Sequence, residues 1–463
     1  MTVRTGDPSP TLPARASAAV WAVQTSNRLS RVLGRGSGTV AGGRVGLALD
    51  PSLLATLARG RRVALVTGTN GKTTTTRMLV AALSRSPGPA VVSNDTGANM
   101  PAGQVAALAG APAGAPAVLE VDEGYLGRLI EETSPRVVVL LNLSRDQLDR
   151  ISEVRMLVDR WRAAFGRLRP AADGEPGTVV VANADDPMVT WAALAAPEVR
   201  WVGAGQVWQL DAVGCPSCGS RIVFGEAGGW ACDRCAFARP DRVAWLDGPE
   251  LVLDDGSRLP VELGLPGQFN RANAAMVVLA APAMVGISPR PDTAPAASPV
   301  PAASPAPADL TDPATVLARV ASVVQVAGRF SSTVRRGHPV RLLLAKNPAG
   351  WTAIFDLLEE DRTTEEPVVL SVNARTADGF DTSWLWDVPF ERLAGRPVVA
   401  TGDRRLDLAV RLRYAGVTTT VVPDPLGAVD RAVERAGLDA AGSPAPVDFV
   451  GNYTAFADLR ARL

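Results

Sequence analysis

The sequence predicts an α/β protein. It should comprise a central phosphate-loop domain on a parallel sheet, an inserted four-cysteine zinc ribbon, and a smaller C-terminal α/β domain. Three observations carry this reading. The run Val63–Thr67 is apolar or β-branched and stops at Gly68; a tight turn, Gly68-Thr69-Asn70-Gly71-Lys72-Thr73-Thr74, leads into Met78–Leu83 at helical spacing. Further strand-like runs, Ala117–Val121, Val137–Leu141 and Thr178–Val181, also end in polar residues, with helical stretches between them. Finally, Cys215-x2-Cys218 and Cys232-x2-Cys235 stand 13 residues apart. The 463 residues divide into a tail and helix at 1–50, the central domain at 51–325 with the ribbon at 211–240, and the C-terminal domain at 326–463.

The first of these runs is strand, phosphate loop and helix. Glycines let backbone N–H groups turn onto an anion, and the helix N-terminus adds its positive dipole end. The strict Walker pattern would put glycine where Val66 stands, so the match is to a shorter Gly-Thr-Asn-Gly-Lys-Thr form. Lys72 is placed to reach phosphates, and the Thr73 hydroxyl to bind Mg²⁺. Only two of the 47 basic residues are lysines, Lys72 and Lys346. Arginine does the surface work here, and a planar fork does not replace a point charge at a phosphate.

Upstream, residues 1–15 are rich in Pro, Ser and Thr and read as disordered. Ala16–Leu33 has helical spacing and suits docking on its own chain, a partner or a membrane surface. Gly34–Gly46 reads as a glycine-rich loop, and Pro51–Arg59 as a short helix. Downstream, the polar loop Ser93–Met100 follows a strand at Ala90–Val92. Glu120 closes the next strand, where open α/β sheets bind ligands, and is placed to hold Mg²⁺. Asp122 and Glu123 read equally well as a solvated turn.

Two close cysteine pairs in a cytosolic chain read as a structural Zn²⁺ site of four thiolates, Cys215, Cys218, Cys232 and Cys235. Reducing conditions disfavour two disulfides, and the paired spacing disfavours free buried thiols. Next, Leu265–Ala275 opens a helix with Asn270 and Asn273 three apart and so on one face. Their amides suit an adenine edge, although capping explains them equally well. Residues 289–309 are almost all Pro, Ala and Ser and read as a disordered loop. The alternation then resumes with strands at Val340–Ala345, Pro367–Val372, Pro397–Ala400 and Thr419–Val422.

Composition limits the function classes. Net charge is zero, which gives no support to a nucleic-acid surface. There is no run of 18 apolar residues, and the N-terminal stretch has Arg4 but no apolar core with a cleavage site. A cytoplasmic chain is expected. The single histidine, His338, leaves no material for a histidine-based triad or a multi-histidine metal site.

In order along the chain, the loop Thr67–Thr74, Glu120, Asn142–Arg150, Asn183–Pro187, Gly267–Asn273 and Gly328-Arg329 resemble the motifs of the Mur ligase superfamily. Its members form amide bonds in peptidoglycan precursors at the expense of ATP. The cysteine insert, Ala345–Gly350 and Ala377–Asp387 narrow the resemblance. They point to the branch formed by synthetase subunits of lipid II isoglutaminyl synthases, with that branch's type of C-terminal domain. The resemblance implies a carbon–nitrogen ligase that takes its amide nitrogen from glutamine. ATP activates the D-glutamate α-carboxylate of lipid II as an acyl phosphate, and ammonia from a GatD-type glutaminase partner displaces phosphate. A heterodimer or larger complex at the inner face of the membrane follows, with peripheral membrane contact through the substrate.

By position, the resemblance assigns Lys72 and Thr73 to triphosphate and Mg²⁺, Glu120 to Mg²⁺, and Asn270 or Asn273 to adenine. It assigns Arg329 and Lys346 to phosphates or ribose. Asp378, with Asp381 as second choice, would complete the glutaminase's Cys–His pair. Two departures stand out. Gln147 occupies the place of a histidine in amino-acid-adding ligases, which puts a second Mg²⁺ in question. Leu343 occupies the place of a ribose-binding acid. Independently, all four cysteines are committed to zinc, so no thiolate remains here for glutamine hydrolysis. The rival readings are a Mur-type ligase that adds an amino acid to a cell-wall or folate-like acceptor, and a non-enzymatic zinc-ribbon module switched by nucleotide.

Overall fold

A computed structural model describes residues 12–32, 39–84, 90–94, 97–145, 151–172, 177–206, 208–286, 308–326, 330–361, 366–438 and 442–463. In chain order the first strands are β1 (Val63–Thr67), β2 (Val92–Ser93), β3 (Ala117–Glu120), β4 (Val137–Leu140), β5 (Val179–Asn183) and β6 (Val199–Gly203). A separate hairpin, β7 (Ile222–Phe224) and β8 (Trp230–Cys232), carries the cysteines. Then come β9 (Ala244–Asp247), β10 (Glu250–Leu253) and β11 (Arg258–Pro260). Apart from the hairpin they form one sheet in the order β11-β10-β9-β6-β5-β4-β1-β3-β2. β1 runs parallel to both neighbours, with Val66 level with Glu120 and Thr67 level with Leu140. That register brings the phosphate loop and Glu120 to the same edge.

The strand runs are apolar without alternation because both faces are covered. Val63 and Leu65 enter one core, while Ala64 and Val66 enter the other, against the helix Gln268–Val285. The antiparallel edge β9-β10-β11 has no counterpart in the sequence reading. Its short, half-exposed strands lack a distinctive apolar run.

Two segments depart from expectation near the N-terminus. The helix expected at 16–33 spans Ala14–Val32, and the glycine-rich stretch is mostly helix, Thr39–Leu49. Glycine serves close approach there rather than a turn. A Cβ on Gly43 would lie 1.8 Å from the Ala102 carbonyl oxygen, and one on Gly46 2.4 Å from Val23 Cγ2. The two helices run antiparallel: Arg15 Nε donates to Leu49 O at 2.7 Å, and Ala16, Ala19 and Val23 join the core. The expected disorder at 1–15 and the 289–309 loop fall almost entirely outside the described residues.

The second sheet contains β12 (Phe330–Arg335), β13 (His338–Leu344), β14 (Val368–Ser371), β15 (Val398–Thr401), β16 (Thr419–Val421) and β17 (Val447–Gly451), ordered β12-β13-β17-β14-β15-β16. Only the β12-β13 pairing is antiparallel. Trp351, Phe355 and Phe390 pack edge-on or tilted beneath one face, with ring centroids 5.7–6.1 Å apart.

Candidate active site

The loop after β1 turns at Gly68 (φ +142°) and Gly71 (φ +87°), and the helix Lys72–Leu83 begins directly behind it. Gly71 also has no room for a side chain, since a Cβ would meet Asn273 Oδ1 at 2.7 Å. The loop is tied to the end of β4. Asn70 N donates to Asn142 Oδ1 at 2.9 Å, Asn142 Nδ2 donates to Asn70 O at 3.1 Å, and Ser144 N donates to Thr69 Oγ1 at 2.9 Å.

Lys72 is 4% exposed and folds back over its own loop. Its ammonium donates to Gly68 O at 2.6 Å and Thr69 O at 3.3 Å, and pairs with Glu123 Oε1 at 2.7 Å. A buried ammonium needs such a partner. Glu123, open in the sequence reading between a functional role and a solvated turn, is that partner.

The Thr73 hydroxyl donates to Glu120 Oε2 at 2.9 Å, and Glu120 is 1% exposed. Two amides clamp the Glu120 backbone. Asn94 Oδ1 accepts from its N–H at 2.8 Å, while Asn94 Nδ2 and Gln104 Nε2 donate to its carbonyl at 2.9 and 2.8 Å. A hydroxyl and a buried carboxylate together at the loop are a hard-oxygen donor set that fits Mg²⁺.

Beside the loop lies a cavity of about 750 Å³, lined by Asn70, Gly71, Thr73, Asn270 and Asn273 and roofed by Leu343, Gly350 and Ile354 of the C-terminal domain. The two asparagines differ. Asn270 Nδ2 donates to Pro266 O at 2.6 Å, a local cap, whereas Asn273 stands against Gly71. Lys346 is not among the lining residues; its neighbour Asn347 meets the loop instead. The amides of Asn347 and Asn70 exchange hydrogen bonds at 3.2 and 3.3 Å across the two domains. Leu343 is buried in the C-terminal core. Arg329 and Gln147 lie outside the described residues.

A second tie joins the domains at Arg145. Its guanidinium reaches Asp211 at 3.2 Å and Asp387 at 3.2 Å and sits over Trp208, which lines the cavity. Neither Arg145 nor Asn347 was singled out by sequence, although both lie inside the quoted motif segments. Asp186 closes the cavity floor. Full burial pushes its carboxyl up to about 6, while Leu143 N, at 2.8 Å, and Met188 N, at 2.8 Å, hold its oxygens. Burial likewise raises Asp185, which pairs with Arg239 of the ribbon at 3.1 Å.

In the ribbon all four sulfurs lie within 4.8 Å of one another. Cys215 and Cys235 sulfurs are 3.7 Å apart, and those of Cys218 and Cys232 3.5 Å. Those lengths are far from a disulfide bond. They match the edges of a tetrahedron with metal–sulfur bonds of about 2.3 Å, which are about 3.8 Å long. Backbone N–H donation from Ser220 draws the Cys218 thiol down to about 6. The ribbon docks on the cavity wall through Trp230 Nε1, which donates to Ala184 O at 2.9 Å.

Asp378 stands in the C-terminal domain and is half-buried. Its Oδ1 accepts from Thr454 N at 2.9 Å, and its Oδ2 from the Thr454 hydroxyl and from Arg375 N at 3.4 Å. It therefore caps the helix Tyr453–Arg460, which is distant in sequence. Asp381 accepts from Ser383 Oγ at 2.6 Å and Ser383 N at 2.8 Å, which hold its carboxyl below the usual range. Between them Phe380 is 71% exposed; nearby Trp386 packs edge-on against exposed Tyr414.

Residues 66–227 match the Mur ligase middle domain, and residues 344–456 match the MurT ligase C-terminal domain. The chain belongs to the Mur ligase superfamily. Among the relatives that it matches over most of their length are MurT subunits. The chain is 26% identical to subunit MurT of the glutamine-hydrolyzing lipid II isoglutaminyl synthase of Staphylococcus aureus (strain COL), over 96% of this chain and 97% of that one. It is 29% identical to the subunit of the same name from Streptococcus pneumoniae (strain ATCC BAA-255 / R6), over 84% of each. In fold it resembles a pseudomurein peptide ligase type C from Methanothermus fervidus, with a TM-score of 0.60 and 19% identity over 87% of this chain and 78% of that one.

Proposed function

We propose that this chain is the synthetase subunit of an amidotransferase that converts the D-glutamate α-carboxylate of lipid II to its amide, in peptidoglycan biosynthesis at the inner face of the membrane. The observation that carries the reading is a Mur-type phosphate loop joined, in one chain, to a C-terminal domain of the MurT type. The carboxylate oxygen attacks the γ-phosphorus of ATP, giving an acyl phosphate and ADP. Ammonia then adds to the acyl carbon, and inorganic phosphate leaves with the bonding electrons.

Lys72 is the cation for the transferring phosphoryl group once it leaves Glu123. Thr73 and Glu120 would hold Mg²⁺, which would neutralise phosphate charge. Asn273, against Gly71, is the better placed of the two asparagines for adenine; Asn270 spends its amide on Pro266. Lys346 and Arg329 remain candidates for phosphate or ribose contacts when the domains close on nucleotide. Ammonia comes from a GatD-type glutaminase, and the word subunit in the relatives' names supports such a partner.

The test is to purify the chain with a candidate glutaminase and assay lipid II. Amide formation is expected from ATP and glutamine with both chains present, and from ATP and ammonium with this chain alone. Addition of a free amino acid to a precursor without any partner would overturn the proposal.

The ribbon would hold one Zn²⁺ on Cys215, Cys218, Cys232 and Cys235. Structural zinc sites contribute on the order of 10–16 kcal/mol of apparent binding free energy. Elemental analysis is expected to give one zinc per chain, and Cys232→Ser to lower both zinc content and the melting temperature. Metal-free protein with the same melting temperature as the purified form would refute this role.

A further inference from the structure

The outer face of the Ala14–Val32 helix has no partner within the described residues. Trp21 is 69% exposed, Leu29 57% and Val32 83%, and the exposed Arg28 lies between them. Positions 21, 28 and 32 share one face of a helix, with Leu29 on its flank. The opposite face, Ala16, Ala19 and Val23, is buried in the core, so the exposed residues are held rigidly outward. The charge around them is one-sided. From Leu12 to Leu49 there are five arginines and no Asp or Glu, in a chain whose net charge is zero. No described helix is long and apolar enough to cross a membrane.

We infer that this helix docks flat on an anionic lipid bilayer, with Trp21, Leu29 and Val32 entering the headgroup–acyl boundary and arginine facing lipid phosphates. A tryptophan flanked by aliphatic and basic residues suits that boundary, where one side of the helix is apolar and the rim is charged. A protein partner is the less favoured occupant, because a tryptophan and aliphatic residues with arginine as the only charged residue type around them have the composition of a helix that lies in a membrane interface. The inference does not depend on the proposed reaction, but it would bring the active site to a lipid-linked substrate.

The experiment is sedimentation of the full chain with vesicles free of lipid II, made either of phosphatidylcholine alone or with phosphatidylglycerol. Binding is expected to the phosphatidylglycerol vesicles only, and to weaken as salt is raised past physiological strength. Arg28→Ala should weaken it about fivefold. The triple variant Trp21→Ser/Leu29→Ser/Val32→Ser should lose it while keeping the melting temperature and ATP binding, since these side chains support no core. Equal binding to both vesicle types, no binding to either, or wild-type binding by the triple variant would overturn the inference. Because the vesicles lack substrate, these outcomes are independent of whether the chain amidates lipid II.

Discussion

Lys72→Ala is expected to lower ATP-dependent amidation by at least about 10²–10³-fold, the range for removing a charge-stabilising donor from a phosphoryl or acyl transfer site. The ammonium is held by two loop carbonyls and by Glu123, with 4% of its surface exposed. Its removal therefore has two separable effects. The loop loses an internal staple, and Glu123 loses its counter-charge. Lys72→Met keeps most of the stem's volume and is the better control for packing. Both variants should remain folded, because the loop backbone is independently tied to Asn142 and Ser144. Single-turnover formation of ADP from ATP and lipid II, with ammonium as nitrogen source, measures the step directly. A soluble, zinc-loaded variant that retains activity within tenfold of the parent would remove the phosphate-loop assignment.

Asp378→Asn should abolish glutamine-dependent amidation, while amidation from free ammonium continues. A Cys–His pair that hydrolyses an amide needs a carboxylate to orient and steady the imidazolium, and losing that charge in a triad costs about 10⁴-fold. Asp378 accepts from Thr454 N on one oxygen and from the Thr454 hydroxyl and Arg375 N on the other, so both oxygens are held by its own chain. Asparagine keeps the Oδ1 acceptor for Thr454 N, the bond that caps the helix, and gives up the charge and the acceptor for Arg375 N. The informative quantity is the ratio of glutamine-driven to ammonium-driven rates in the intact complex. A general loss of structure would lower both. An unchanged ratio would rule out the shared acid at this position and pass the question to Asp381, two residues before the Ser383 that it binds. Phe380 and Trp386 beside these acids are exposed, which makes this face of the C-terminal domain the one proposed to meet the glutaminase.

Much of the central domain was legible because its signals are local. β1, β3, β4 and β5 are buried on both faces, so each reads as an apolar run, and each leads into polar residues at the ligand edge. The ribbon was legible because four thiolates need two tight knuckles, which leave a fixed spacing. Contacts between segments distant in sequence left no comparable trace. Lys72 meets Glu123 across 51 positions, and Asn70 meets Asn347 across 277. Lys346 carried the chemical signal in that segment, yet its neutral neighbour makes the contact with the loop. Glycine misled at 42–46, where absence of a side chain permits helix contact rather than a turn. Asp378 was assigned by resemblance to a partner's Cys–His pair, and only the fold reveals that it also holds a helix beginning 75 residues later.

β17 has a consequence for how the protein comes to exist. It pairs with β13 on one side and β14 on the other, in the middle of its sheet. Its residues, Val447–Gly451, come after every other strand of that sheet in sequence. β12-β13 and β14-β15-β16 are therefore two fragments with open edges until synthesis has passed residue 451. Unpaired edges of this kind are prone to aggregation while they wait, and the separation from β13 makes closure a non-local, slow event. The central domain, whose strands are complete by Pro260, has no such dependence. Asp378 gains its Thr454 contacts in the same late step, so the acid proposed to serve another chain's chemistry is positioned only after residue 454 has been made. On the proposed reading, the phosphate loop would be in place before the face that meets the glutaminase.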